Sequence, residues 1–219
     1  MPDPEISTDS IVLLGSFNPA IVHPDWLRHR GLLREGEYED SEVEVIVPEF
    51  SRFRIAWLRV QVTPTHFQLV TLEPDRRLLL RDLAVNVFEI LNETPIKGLG
   101  LNRDQHFAVP DDKTLNAIGH ALVPVKPWTS VMSEPGMLSL TVRDVRPDGR
   151  TGHINVRVEP SLSLTPGLFV GVNDHYQLDD DRPEAVPLDA TDATVILSTE
   201  WDASTSRADG YVESILRLG

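Results

Sequence analysis

Apolar positions along the chain cluster into short extended runs broken by proline-centred turns, and in a few stretches their spacing widens to that of a helix. Ile11 to Leu14 read as a short strand ended by Gly15 and Pro19, after a polar tail over residues 1–9. Pro24 and Asp25 open a helix with Trp26, Leu27 and Leu32 or Leu33 on its apolar side. The acidic stretch 35–44, EGEYEDSEVE, predicts a loop leading into a strand at Val43, Val45 and Val47. Phe53 to Val62 carries apolar groups on both faces, which predicts one strand central in its sheet. Thr63-Pro64-Thr65 breaks that run and Phe67 to Leu72 resumes it, so the two pair as a hairpin.

Leu80, Ala84, Val87, Phe88 and Leu91 then fall at i, i+4, i+7, i+8 and i+11 after Pro74-Asp75, the pattern of a one-sided amphipathic helix, stopped at Thr94-Pro95. Ile96 to Val109 is extended again, and its Gly98 and Gly100 mark close approach or a bulge. Pro110-Asp111-Asp112 starts a shorter helix with Leu115, Ile118 and Leu122 on one side. Three alternating runs follow, around Leu138–Val142, Ile154–Val158 and Leu168–Val172, with a turn at Pro147-Asp148-Gly149 and an acidic loop over 174–184. From Thr191 two readings are open: Val195-Ile196-Leu197 as a strand or, preferred over a longer window, one helix with Ala193, Leu197, Trp201, Ala208, Val212 and Ile215 on one face and a break near Gly210.

Strands joined by short turns pair antiparallel. The predicted class is therefore α+β, antiparallel meanders and hairpins with helices packed on one side. The order suggests two similar halves, residues 10–123 and 137–219, joined by a proline-rich hinge over 124–136; one continuous domain is compatible with the same pattern.

Charge narrows the partners. The chain has 34 acidic against 20 basic residues, a net charge of -14. Binding nucleic acid or anionic lipid by charge neutralisation requires the opposite balance. A basic protein partner, docked on the acidic stretches 35–44 and 174–184, or self-association, fits better. With no cysteine, thiolate chemistry, disulfides and sulfur-ligated metals are excluded, and a reducing, cytoplasmic setting is expected. No apolar run nears the roughly 20 residues that span a bilayer.

Two stretches carry family resemblances. Gly15-Ser16-Phe17-Asn18-Pro19 resembles the first part of the nucleotidyltransferase signature, which would imply an adenylyltransferase-like enzyme using Gly15 to His23. The second part departs from it, because His23 comes one place early and Pro24 follows. Glycine, asparagine and proline are equally what a tight turn needs. The run VTPTHFQLVTLEP with LAVNVFEILNETPIKGLGLNRD resembles a sporadically distributed bacterial family of uncharacterised proteins, in which a hairpin and helix precede a Gly-Leu-Arg-Tyr-Asn-like strand. Here Leu101-Asn102-Arg103 replaces the aromatic-asparagine pair, and the resemblance implies no activity or catalytic residue.

The seven histidines are scattered, with no metal-binding spacing, and neither a cofactor nor a metal is expected. No catalytic template is matched, and the reading leans away from an enzyme. The candidate binding residues are Trp128 in the hinge, the polar run Asn102, Arg103, Asp104 and His106, and the acids Asp179, Asp180 and Asp181. The expected function is a non-enzymatic, cytoplasmic bacterial interaction or assembly protein whose acidic surface docks another protein. The alternatives are the nucleotide-binding enzyme above and an acidic mimic of nucleic acid.

Overall fold

A computed structural model describes residues 3–180 and 186–219. Its strands are β1 (Ile6–Gly15), β2 (Glu42–Val47), β3 (Phe50–Ile55), β4 (Leu58–Val62), β5 (His66–Thr71), β6 (Ile96–Ala108), β7 (Leu140–Val145), β8 (Gly152–Pro160) and β9 (Gly167–Gln177). All nine join one antiparallel sheet in the order β2-β3-β4-β5-β1-β6-β9-β8-β7. The helices are α1 (Pro24–His29), α2 (Glu35–Glu39), α3 (Arg77–Ile90), α4 (Asp112–Leu122), α5 (Thr191–Thr199) and α6 (Trp201–Leu216). The fold is α+β with antiparallel strands, as the run-and-turn pattern predicts.

The two predicted halves share this sheet, because β6 of the first pairs with β9 of the second from Gly98↔Gln177 to Ala108↔Gly167. The principal core lies between one sheet face and the helices. There Ile11, Leu13, Phe53, Phe67, Leu69, Leu99 and Leu101 meet Leu80, Ala84, Val87 and Phe88 of α3 and Leu197 and Trp201 nearby. Each of these leucine, isoleucine, valine and phenylalanine side chains contributes roughly 1.5–3 kcal/mol on burial. Phe67 and Phe88 meet edge to face with centroids 4.9 Å apart, and Phe17 lies 5.9 and 6.0 Å from them. A second cluster joins Ile118 of α4 to Val158, Val170 and Val212.

Several elements differ from their sequence reading. The tail read over residues 1–9 contains the start of β1, where Ser7 and Asp9 are buried among charged partners and carry no hydrophobic signature. The run Phe53–Val62 is two strands, β3 and β4, turning at Ala56-Trp57. Its apolar residues lie on one face of each strand, and the turn shifts their phase, which imitates a strand apolar on both sides. Residues 35–39 form a short helix with a capping interaction between Arg34 and Glu37, where a loop is expected. Asp174 to Gln177 lie in β9, inside the stretch read as an acidic loop. The C-terminal helix breaks at Glu200, and Gly210 lies within α6.

Two buried carboxylates bind the helices to the sheet. Asp9, 5% exposed, accepts from Arg77 Nε of α3 at 2.6 Å and from Arg103 Nε of β6 at 3.0 Å. Arg103 Nη1 also reaches Asp209 of α6 at 2.5 Å. Asp174 of β9 accepts from Arg146, in the turn after β7, and from Arg207 of α6 at 2.7 Å. The Arg146 guanidinium stacks 3.4 Å from the centroid of the Tyr176 ring. Burial, with Asp174 beside it, pushes the Tyr176 hydroxyl up to about 12. No helix among the described residues is long and apolar enough to cross a membrane.

Removing the Asp9 carboxylate leaves Nε of Arg77 and Nε of Arg103 without their acceptor at this interface. Asp9→Ala is expected to cost about 3–5 kcal/mol, read as a lower urea midpoint. Arg217→Ala, which breaks an exposed pair with Glu213, should leave the midpoint unchanged.

Candidate functional site

The residues quoted for nucleotide chemistry build a turn. Gly15 ends β1, and a Cβ there would meet the carbonyl oxygen of Pro95 at 2.2 Å, which explains the glycine by space. The amides of Gly15, Ser16 and Phe17 donate to the carbonyls of Thr65, Pro95 and Pro64. Asn18 Oδ1 accepts from the Ala20 amide at 3.1 Å. His23 Nδ1 caps α1 by accepting from the Trp26 amide. The first three amides of the stretch, which a phosphate would need, are thus occupied, and Phe17 is drawn into the aromatic cluster of the core.

The polar run on β6 divides between the two sheet faces, as alternation requires. Arg103 points into the helix-covered side and is spent on Asp9 and Asp209. Asn102, Asp104 and His106 lie on the other face, which carries no helix. On that face one register row crosses all nine strands: Glu42, Arg54, Arg59, Val70, Ser10, Asn102, Asn173, Asn155 and Arg143. Asn173 Nδ2 donates to Asn102 Oδ1 at 2.5 Å, and Asn102 Nδ2 donates to Ser10 Oγ at 3.2 Å. Arg143 Nε donates to Asn155 Oδ1 at 2.9 Å.

Asp104 lies in the adjacent row against Gly171, where a Cβ would come 2.7 Å from its Oδ1. Burial pushes the Asp104 carboxyl above the usual carboxylate range, against the pull of Arg157 and His106. His106 stacks 5.0 Å from Phe169 and its Nδ1 lies 2.8 Å from Ser161 Oγ. The Ser161 oxygen also accepts from the amides of Ser163 and Leu164.

Four of the six acids of residues 35–44 have partners within the chain. Glu35 pairs with Arg28, Glu42 with Arg54 and Glu44 with Arg52, while Glu37 accepts from Trp57 Nε1 at 2.9 Å. Asp174 is the buried clamp described above. Asp179 accepts from Gln177, Asp180 is exposed, and Asp181 lies outside the described residues. Among the described residues no group of three or more metal-ligating side chains gathers.

Trp128 sits apart from these groups, 46% exposed. With Val123, Val125, Met132 and Leu138 it lines a groove of about 240 Å³. The groove opens beside the start of β7, the terminal strand of the sheet. Leu138, Val142 and Val145 are 86%, 53% and 77% exposed. Residues 123–139 are turns held by local bonds, among them the amides of Val131 and Met132 to the Trp128 carbonyl, both 2.9 Å. No family model matches the chain, and no curated protein matches it.

The raised Asp104 pKa fixes a sign. A carboxyl whose folded value exceeds its unfolded value adds stability at low pH, and that contribution is lost as pH rises through the folded value. The urea midpoint of the native chain should therefore fall, relative to Asp104→Asn, between about pH 4 and neutrality; parallel profiles would reject this.

Proposed function

We propose that the chain is a non-enzymatic, cytoplasmic bacterial interaction protein that binds an extended segment of a partner protein along β7, with an apolar side chain of that segment seated beside Trp128. The observation that carries this reading is the union of a free strand edge with an apolar groove at its entrance. An edge strand offers unpaired backbone donors and acceptors to an added strand. A half-exposed tryptophan beside it supplies the kind of anchor that dominates interface energetics. β2, at the other end of the sheet, has its carboxylates Glu42 and Glu44 facing arginines of β3. The net charge of -14 disfavours a second copy and favours a partner of positive charge. A cysteine count of zero suits a reducing compartment.

Photo-crosslinking tests this in cells of the source organism, with a benzophenone side chain placed at Val142 or, in a second strain, at Val43 of β2. One partner protein should be captured from Val142 and not from Val43. With the partner in hand, Trp128→Ala should weaken its binding about thirtyfold, the loss of roughly 2 kcal/mol for a buried anchor. Val142→Lys should block strand addition while leaving the far-ultraviolet dichroism unchanged. Capture of the chain itself, or equal capture from both strands, would overturn the assignment.

A further inference from the structure

At the far end of the open face from β7, β3 and β4 set two arginines directly opposite each other, Arg54↔Arg59. Like charges in such a pair destabilise a sheet. Glu42 neutralises Arg54 from the β2 side, but its single oxygen Oε2 takes both Arg54 Nε and Nη2, at 3.0 and 2.5 Å, and leaves Nη1 free of it. Arg52 gives Nε and Nη2 to Gln61 Oε1, at 3.1 and 2.6 Å, and its Nη1 is 3.7 Å from Glu44. Arg59 makes no ion pair or side-chain hydrogen bond among the described residues, and all five of its N–H groups remain available.

These side chains surround a hollow of about 300 Å³, lined by Glu44, Arg52, Arg54, Arg59, Gln61 and Gln68. That volume stands at the lower end of small-ligand sites. Three guanidinium groups face two carboxylates there, an excess of positive charge on a chain whose net charge is -14. The uncompensated charge at this hollow is that of Arg59.

We propose that this hollow binds the phosphate group of a small phosphate monoester. Arg59 grips it as a fork, and Arg54 Nη1 and Arg52 Nη1 close on it from the side. A planar guanidinium presents paired donors that match phosphate oxygens, and a dianion relieves the Arg54–Arg59 repulsion better than a monoanionic carboxylate. The Gln68 amide and the Val70 side chain border the space left for the organic part. The overall negative charge opposes a nucleic-acid strand or an anionic membrane as the source of the phosphate.

Calorimetric titration with glycerol 3-phosphate and inorganic phosphate, beside citrate and a single-stranded oligonucleotide, separates the sources. Binding of the two small phosphates is expected, weakened at least tenfold by Arg59→Ala and unchanged by Arg217→Ala, just beyond α6. A second readout is thermal: without added anion, Arg59→Gln should melt no lower than the native chain, and phosphate should raise the melting temperature of the native chain only. Absence of heat at millimolar phosphate, or equal affinity in Arg59→Ala, overturns the site. Tighter binding of citrate or of the oligonucleotide overturns the assignment to a small phosphate monoester.

Discussion

A carboxylate buried in the middle of a sheet dictates what surrounds it. Asp9 sits on β1 between β5 and β6, and its charge is tolerable there only with cations at hydrogen-bond distance. Arg103 comes from the neighbouring strand, Arg77 from the start of α3, and Asp209 brings α6 to the same group through Arg103. Asp174 repeats the device two strands away with Arg146 and Arg207. Helices that must place these groups against the sheet all lie on one side of it, together with the apolar core. The charged interface is thus a positional constraint more than a source of net stability, since pairing mostly repays desolvation.

The other side of the sheet follows from that arrangement. With the helices committed, strand alternation sends Ser10, Asn102 and Asn173 outward as a hydrogen-bonded row, with Asn155 beside them bonded to Arg143. The same alternation brings arginines of β3 and β4 together at one end. β7 stays at the margin because the chain leaves α4 through the turns of residues 123–139, which hold Trp128 next to the strand. The two surfaces therefore differ in chemistry, one apolar and built around a strand margin, the other cationic and hollow.

Much of the fold was legible as pattern. The α3 spacing, the hairpin break at Pro64 and the turn at Asp148-Gly149 have local physical causes, so antiparallel α+β organisation could be read directly. What failed was local information of the wrong kind. Asp9 and Ser7 look like a polar tail because their partners, Arg77 and Arg103, are remote in sequence. Ala56-Trp57 hides a reversal without glycine or proline. The acids of residues 35–44 look like a docking surface, yet Glu35, Glu37, Glu42 and Glu44 find partners only once α1, β3 and the Trp57 turn fold back on them. Of the candidate residues, Trp128 could be singled out by its proline-rich setting. The Arg54–Arg59 pair left no trace, because opposition across strands depends on register.

The pairing of β6 with β9 also bears on how the molecule comes into being. β6 spans the middle of the chain, and its second neighbour is supplied only after residues 167–177 have been made. A nascent chain that has emerged as far as α4 can place β6 beside β1 but presents the opposite margin of β6 bare. Leu99, Leu101 and Phe107 then lack β9 and α6 above them. Contacts so distant along the polypeptide close late and slowly. Until the ribosome delivers β9, the same backbone that ends inside the finished sheet beside its central strand is an adhesive margin.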